Sequence, residues 1–272
     1  MDDSGLIIDT TPEPRKVPLA NSWLWVSEAF RLYRAHVGRW VLFSLALVIT
    51  VFVLSVIPFV QIISAALMPF LFGAYVWAAH EQDATGAAPT LSGMVAAVRA
   101  HLRPLWVAGL LSMTGSILVL GITRFGLKWL APGPDFEAAL AAAGQTQKLP
   151  DFGGNGGWMA LIMLFAFMLI NSIFFFAPSL VVLRNSSGAA AMKASYLAYW
   201  KNWLPITASG LLLMALFFAG CMACVMMAAL VGSQVGGVLL SLFMLLALPL
   251  FLLIYYTCYA DIFSVPVPEA TL

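Results

Sequence analysis

Two neighbouring stretches decide the fold: Leu204–Val231, LPITASGLLLMALFFAGCMACVMMAALV, and Val235–Tyr259, VGGVLLSLFMLLALPLFLLIYYTCY. Neither holds a charged residue, and only Gly232-Ser233-Gln234 separates them. A helix crosses the hydrocarbon core of a bilayer with about 20 apolar residues. Each stretch is therefore long enough to span, and the short polar break makes the two a hairpin. Similar runs lie near Trp40–Ile57, Val60–Ala79, Leu105–Ile122 and Trp158–Leu183, with Pro58 marking the turn of another hairpin.

The whole chain agrees with these runs. Of 272 residues 62% are apolar and 9% charged, and mean hydropathy is +0.96. A soluble globular chain is about 45–50% apolar and about 25% charged. There is too little polar surface here for a water-soluble enzyme, a disordered chain or a nucleic-acid binder. The expected class is an all-α polytopic membrane protein with six transmembrane helices in one domain over 21–263. Residues 1–20, rich in acids and proline, read as a disordered tail and not as a secretory signal, which would need a basic start and a continuous apolar core. Residues 131–157 read as an outer-side loop and 264–272 as a second tail.

Charge sets the orientation. With the N-terminus inside, Arg15, Lys16, Arg31, Arg34, Arg39, Arg99, Arg103, Arg184, Lys193 and Lys201 face the cytoplasm, while Arg124, Lys128 and Lys148 lie opposite. Cytoplasmic loops carry the excess of Lys and Arg, so both termini are expected there.

Three stretches look alike: Glu28–Leu45, EAFRLYRAHVGRWVLFSL; Met94–Leu111, MVAAVRAHLRPLWVAGLL; and Met192–Gly210, MKASYLAYWKNWLPITASG. Each is an amphipathic segment running into a span. Trp23, Val26, Phe30, Tyr33 and Val37 recur at helical spacing in the first. Leu91, Met94, Val98 and Leu102 do so in the second, and Met192, Tyr196, Tyr199 and Trp203 in the third. Thr90 and Ser187 are expected N-caps. The second span of each pair carries a proline, Pro69, Pro178 or Pro249. The pattern points to one unit used three times, an in-plane helix plus a helical hairpin, in parallel orientation.

Residues with chemistry are few. No span carries a charge near its middle, where one would cost about 2.5–3.5 kcal/mol on insertion scales and would mark ion or proton movement. Inside the spans Gln61, Asn171 and Ser172 are the candidate polar path, with Pro69, Pro178 and Pro249 as candidate hinges. Cys221 and Cys224 could hold a soft metal ion or form a redox pair. They also fall among Gly220, Ala228, Gly232 and Gly236, a face of small residues on which helices pack, and packing is the expected role. Asp261 is expected to pair with Arg99, Arg103 or Lys193. No catalytic residue, metal site or cofactor is expected, and the chain is not read as an enzyme.

The segments WLWVSEAFRLYR before the first span, FFFAPSLVVLRNSSGAAAMKAS after the fourth, NWLP entering the fifth and YADIF after the sixth resemble six-span inner-membrane proteins of Gram-negative bacteria. The likeness runs over about residues 20–265. More distantly the chain is similar to the membrane domains attached to some glycerophosphodiester phosphodiesterases, and their hydrolase activity is not expected to carry over. The resemblance implies a bacterial inner-membrane location and supplies no catalytic residues. The paired spans are also similar in architecture to mitochondrial carriers, whose Pro-x-Asp/Glu-x-x-Lys/Arg motif is absent.

The expected function is non-enzymatic: binding a membrane partner or lipids through a basic collar of Arg31, Arg34, Arg99, Arg103 and Lys193. The alternative is a transporter or channel for a small neutral or amphipathic solute, passing Gln61, Asn171 and Ser172.

Overall fold

A computed structural model describes residues 12–56, 60–130 and 156–264. Those residues are 88% helical, with no strand among them. Among the described residues ten helices follow one another: α1 (Asn21–Ala35), α2 (Val37–Val56), α3 (Val60–Thr85), α4 (Leu91–Ala100), α5 (Leu102–Leu130), α6 (Gly156–Phe174), α7 (Ala177–Arg184), α8 (Gly188–Lys201), α9 (Trp203–Val231) and α10 (Ser233–Ile262). Most of the expected outer loop, 131–157, and all but Ser264 of the expected C-terminal tail lie outside the described residues.

Among the described residues four stretches are long and apolar enough to cross a bilayer: Val37–Leu54, Leu164–Arg184, Trp203–Val231 and Gln234–Ile262. Counting α4 and the first half of α5, bent by 79°, as one broken span makes five. Gly232, at φ 102°, is the one residue between α9 and α10. That backbone region favours glycine because it has no Cβ.

Three short helices, α1, α4 and α8, each stop at one polar residue and pass at once into a long helix. The stops are His36, His101 and Asn202, whose backbone N–H groups bond back to Tyr33, Val98 and Ala198. Thr90 and Ser187 cap α4 and α8 as expected, accepting the N–H groups of Gly93 and Ala190. These side-chain oxygens satisfy donors that a helix start leaves free. The short helices gather at the end of the bundle where α3, α7 and α10 finish: α1 packs on α9 and α10, α4 on α3, and α8 on α5, α6 and α7.

Their protein-facing sides take in only part of the apolar stripes read from the sequence, Val26, Met94 and Tyr199 among them. α1 buries Ser22, Trp25, Val26, Ala29 and Leu32, while Trp23 is 63% exposed. α8 buries Gly188, Ala191, Ala194, Ser195, Ala198 and Tyr199, leaving Tyr196 and Trp203 exposed. Small residues let helix backbones approach closely and take most of the protein-facing side of α8, while α1 also buries Trp25 and Leu32.

Three further corrections concern the chain's path. Residues 14–20, expected in a disordered tail, form a strap pinned to the bundle. The N–H of Arg15 donates to the Ile262 carbonyl at 3.0 Å, Lys201 Nζ donates to the Pro14 carbonyl, and Val17 is buried. The fourth expected span, 158–183, is two helices broken at Phe175 and Phe176. Pro178 therefore sits in the first turn of α7, where its missing N–H costs nothing, whereas Pro69 and Pro249 lie inside continuous helices. Thirdly, the partner of Asp261 is Arg15 of the strap; Arg99, Arg103 and Lys193 form no ion pair among the described residues.

Candidate functional site

The polar residues at the short-helix end fall into two sets, one locked and one free. Asp261, near the end of α10, is the centre of the locked set. Its carboxylate accepts from the Arg15 guanidinium, from Asn21 Nδ2 at 2.6 Å and from Trp25 Nε1 at 2.7 Å. An acid at a helix C-terminus opposes the helix dipole, and these three donors offset that. Thr257, one turn earlier, donates to the Trp25 carbonyl at 3.1 Å.

Asp83 is the second anchor. It accepts from Arg31, which also bonds Glu28, and from the Tyr256 hydroxyl at 2.9 Å. The hydrogen bond to Asp83, then that to Glu28, raises the Arg31 pKa above its ordinary value. Arg31, expected in the free collar, is thus engaged in joining α1, α3 and α10. Sequence reading missed Gln82, which is buried. Its Nε2 donates to the Leu32 carbonyl at 2.7 Å and its Oε1 accepts from Trp40 Nε1 at 2.8 Å. Trp40 and Gln82 are each the buried polar partner the other requires.

The stop residues complete the locked set. His36 Nε2 lies 3.1 Å from the carbonyl of Gly86, in the loop before α4. His101 Nε2 lies 2.7 Å from Asn185 Oδ1, in the loop before α8. Asn202 Oδ1 accepts the N–H of Val17 and its Nδ2 donates to the Arg15 carbonyl, both at 2.9 Å, in the strap before α1.

The free set is basic. Arg34, Arg99, Arg103 and Lys193, all expected in the collar, are exposed. They have no ion pair or hydrogen-bond partner among the described residues. Arg39 shares these properties. The five sit on α1, α4 and α8 or in the first turn of α2 and α5. Arg99 also borders an apolar groove of about 380 Å³ whose other walls include Phe43, Leu47, Phe70 and Tyr75.

The residues of the expected polar path are placed differently. Gln61 lies in the first turn of α3, with its side chain outside the described residues. Asn171 is half-buried on α6. Ser172 is buried, and its hydroxyl donates to the Leu169 carbonyl of its own helix at 2.7 Å. Cys224 lies on the face that α9 turns to α10: its Sγ is 3.9 Å from the Leu239 carbonyl. A Cβ added at Gly236 would stand 1.9 Å from that of Ala228. The small-residue face therefore packs the hairpin together.

No protein family, curated protein or solved structure matches this chain. The reading of its function rests on the arrangement above.

Proposed function

We propose that the chain is a six-span protein of the bacterial inner membrane, with both termini in the cytoplasm, that binds a membrane partner or lipids through its basic collar. The observation that carries this is the free set. Arg34, Arg99, Arg103 and Lys193 are exposed and unpaired at one end of an apolar helical bundle, while Glu28, Asp83 and Asp261 there are already engaged with Arg31 and Arg15. Unpaired cations at a cytoplasmic membrane surface attract anionic lipid or an acidic partner. On this reading the chain is not an enzyme and acts through contacts alone.

A three-fold repeat is part of the same proposal. It is supported by a cyclic relationship among the short helices. The stop residue of each unit bonds the segment leading into the next short helix: His36 to Gly86, His101 to Asn185, and Asn202 to Arg15 and Val17. Each short helix also packs on the long helices of the unit before it, α4 on the first, α8 on the second and α1 on the third. The strap is ordered, on this view, because it takes the place of the third linker in a closed ring. Three units in parallel put all three short helices, and so the collar, on one side.

The test is extraction of the protein from its own membrane into nanodiscs, followed by native mass spectrometry. Wild type is expected to retain an acidic protein partner or anionic lipid at stoichiometric level, and the combined variant Arg99→Gln, Arg103→Gln, Lys193→Gln to lose it. An unchanged cargo in the variant would overturn the collar reading. A defined small solute on an otherwise lone protein would replace it with transport.

A further inference from the structure

The strap and the junction of α8 with α9 enclose a cavity of about 530 Å³, lined by Lys16, Val17, Pro18, Leu19, Trp200, Lys201, Trp203, Leu204 and Pro205. No acid lines it. The side chains able to hydrogen bond are all donors. Lys16 is exposed and has no partner among the described residues. Lys201 gives one of its three protons to the Pro14 carbonyl at 2.7 Å. The indole N–H of Trp200 is shut off from solvent and meets no acceptor. The two ammonium groups, and not this closed-off N–H, are therefore the donors that an entering oxyanion can reach. The rest of the wall is apolar and open: Leu19 is 51%, Trp203 46% and Leu204 48% exposed. These residues stand where α9 begins, at the level where amphipathic aromatic rings mark the edge of a bilayer.

Two ammonium groups beside an open apolar wall fit an anion that carries apolar tails. We propose that this cavity binds the phosphate headgroup of an anionic glycerophospholipid, with its acyl chains laid along Trp203 and Leu204. The other two junctions lack this chemistry, since Ala35 and Ala100 precede His36 and His101 where Lys201 precedes Asn202. The inference rests on the membrane reading and is independent of the collar.

The experiment is native mass spectrometry of the full chain in detergent with equal amounts of phosphatidylglycerol and phosphatidylcholine of matched chains. Wild type is expected to retain phosphatidylglycerol preferentially. Lys16→Gln should weaken that preference about fivefold, the contribution of one lysine near an anionic surface. Lys16→Glu, which reverses the charge at the same place, should weaken it further. Neither variant touches the bonds that hold the strap. The combined Arg99, Arg103 and Lys193 variant should keep this lipid, so loss of the collar reading and loss of this site give different results. Equal retention of the two lipids, or a preference unchanged in both site variants, would overturn the proposal. Displacement by inorganic phosphate as readily as by added phosphatidylglycerol would also overturn it, by assigning the cavity to the free anion.

Discussion

The hydroxyl of Ser195 accepts the backbone N–H of Phe176 at 2.9 Å and donates to the Ser172 carbonyl at 3.0 Å. A continuous helix would join those two backbone groups directly. A side chain from α8 has entered the ladder instead, which is one of the recognised causes of a sharp helix break. Both ends of the inserted bond are buried, so Ser195→Ala would leave a buried N–H and carbonyl unmet. The expected loss is about 1–3 kcal/mol, read as a lower unfolding midpoint in detergent. A midpoint equal to wild type would mean that the break does not depend on the hydroxyl.

Asp261→Ala removes the shared acceptor of Arg15, Asn21 and Trp25. Arg15 is half exposed and contributes little as a surface ion pair. The bonds of Asn21 and Trp25 to an ionised acceptor carry the effect, about 2 kcal/mol. Limited trypsin digestion is the direct check, with cleavage after Arg15 and Lys16 expected to be faster in the variant.

Gly109 lies where α5 crosses α3. A Cβ there would stand 2.1 Å from the Ala66 carbonyl oxygen, which is backbone and cannot swing aside. Gly109→Ala should therefore push the helices apart, at about 1–3 kcal/mol for overpacking. Gly38→Ala is the matched control, because a Cβ at Gly38 meets nothing within 4 Å. Thermal midpoints of the two variants should separate clearly, and equal midpoints would refute the close crossing.

Reporter fusions test the proposed topology. A fluorescent protein joined after Leu272 should be bright, as folding in the cytoplasm allows. Alkaline phosphatase inserted between Asp135 and Lys148 should be active. The reverse pattern would invert the chain and place the collar on the outer face.

Gln82→Leu should be costly although it replaces a polar residue by an apolar one in a buried place. It strands both the Trp40 indole N–H and the Leu32 carbonyl, two groups at about 1–3 kcal/mol each in the upper case. Circular dichroism melting of the variant against Gln82→Glu would show whether the loss follows the acceptor or the donor half of the amide.

Much of the helical layout was legible because length and apolarity determine it. Leu204–Val231 was expected and α9 runs Trp203–Val231; Thr90 and Ser187 were expected as caps and act as caps. The faces were not legible in the same way. In water, burial selects large apolar residues, so their spacing reveals the core. Where the surroundings are as apolar as the interior, Trp23 loses nothing by facing out, and Ala29 or Ala191 gains by facing in. The break at Phe175 and Phe176 was hidden for a different reason, since its cause, Ser195, is remote in sequence. The stop residues did leave a trace: Arg-Ala-His occurs at 34–36 and again at 99–101. Asn202 breaks the literal repeat but keeps its role as a hydrogen-bonding stop.

The strap has a consequence for how the protein is made. Arg15 and Asp261 are 246 positions apart, so a segment is held in place by one that is synthesised much later. Until α9 and α10 are synthesised, α1 lacks the helices that cover Trp25 and Leu32. During that interval the membrane surface or a chaperone must shelter them. Chains truncated before Asp261 would never close, and cellular quality control would meet them with the strap still loose.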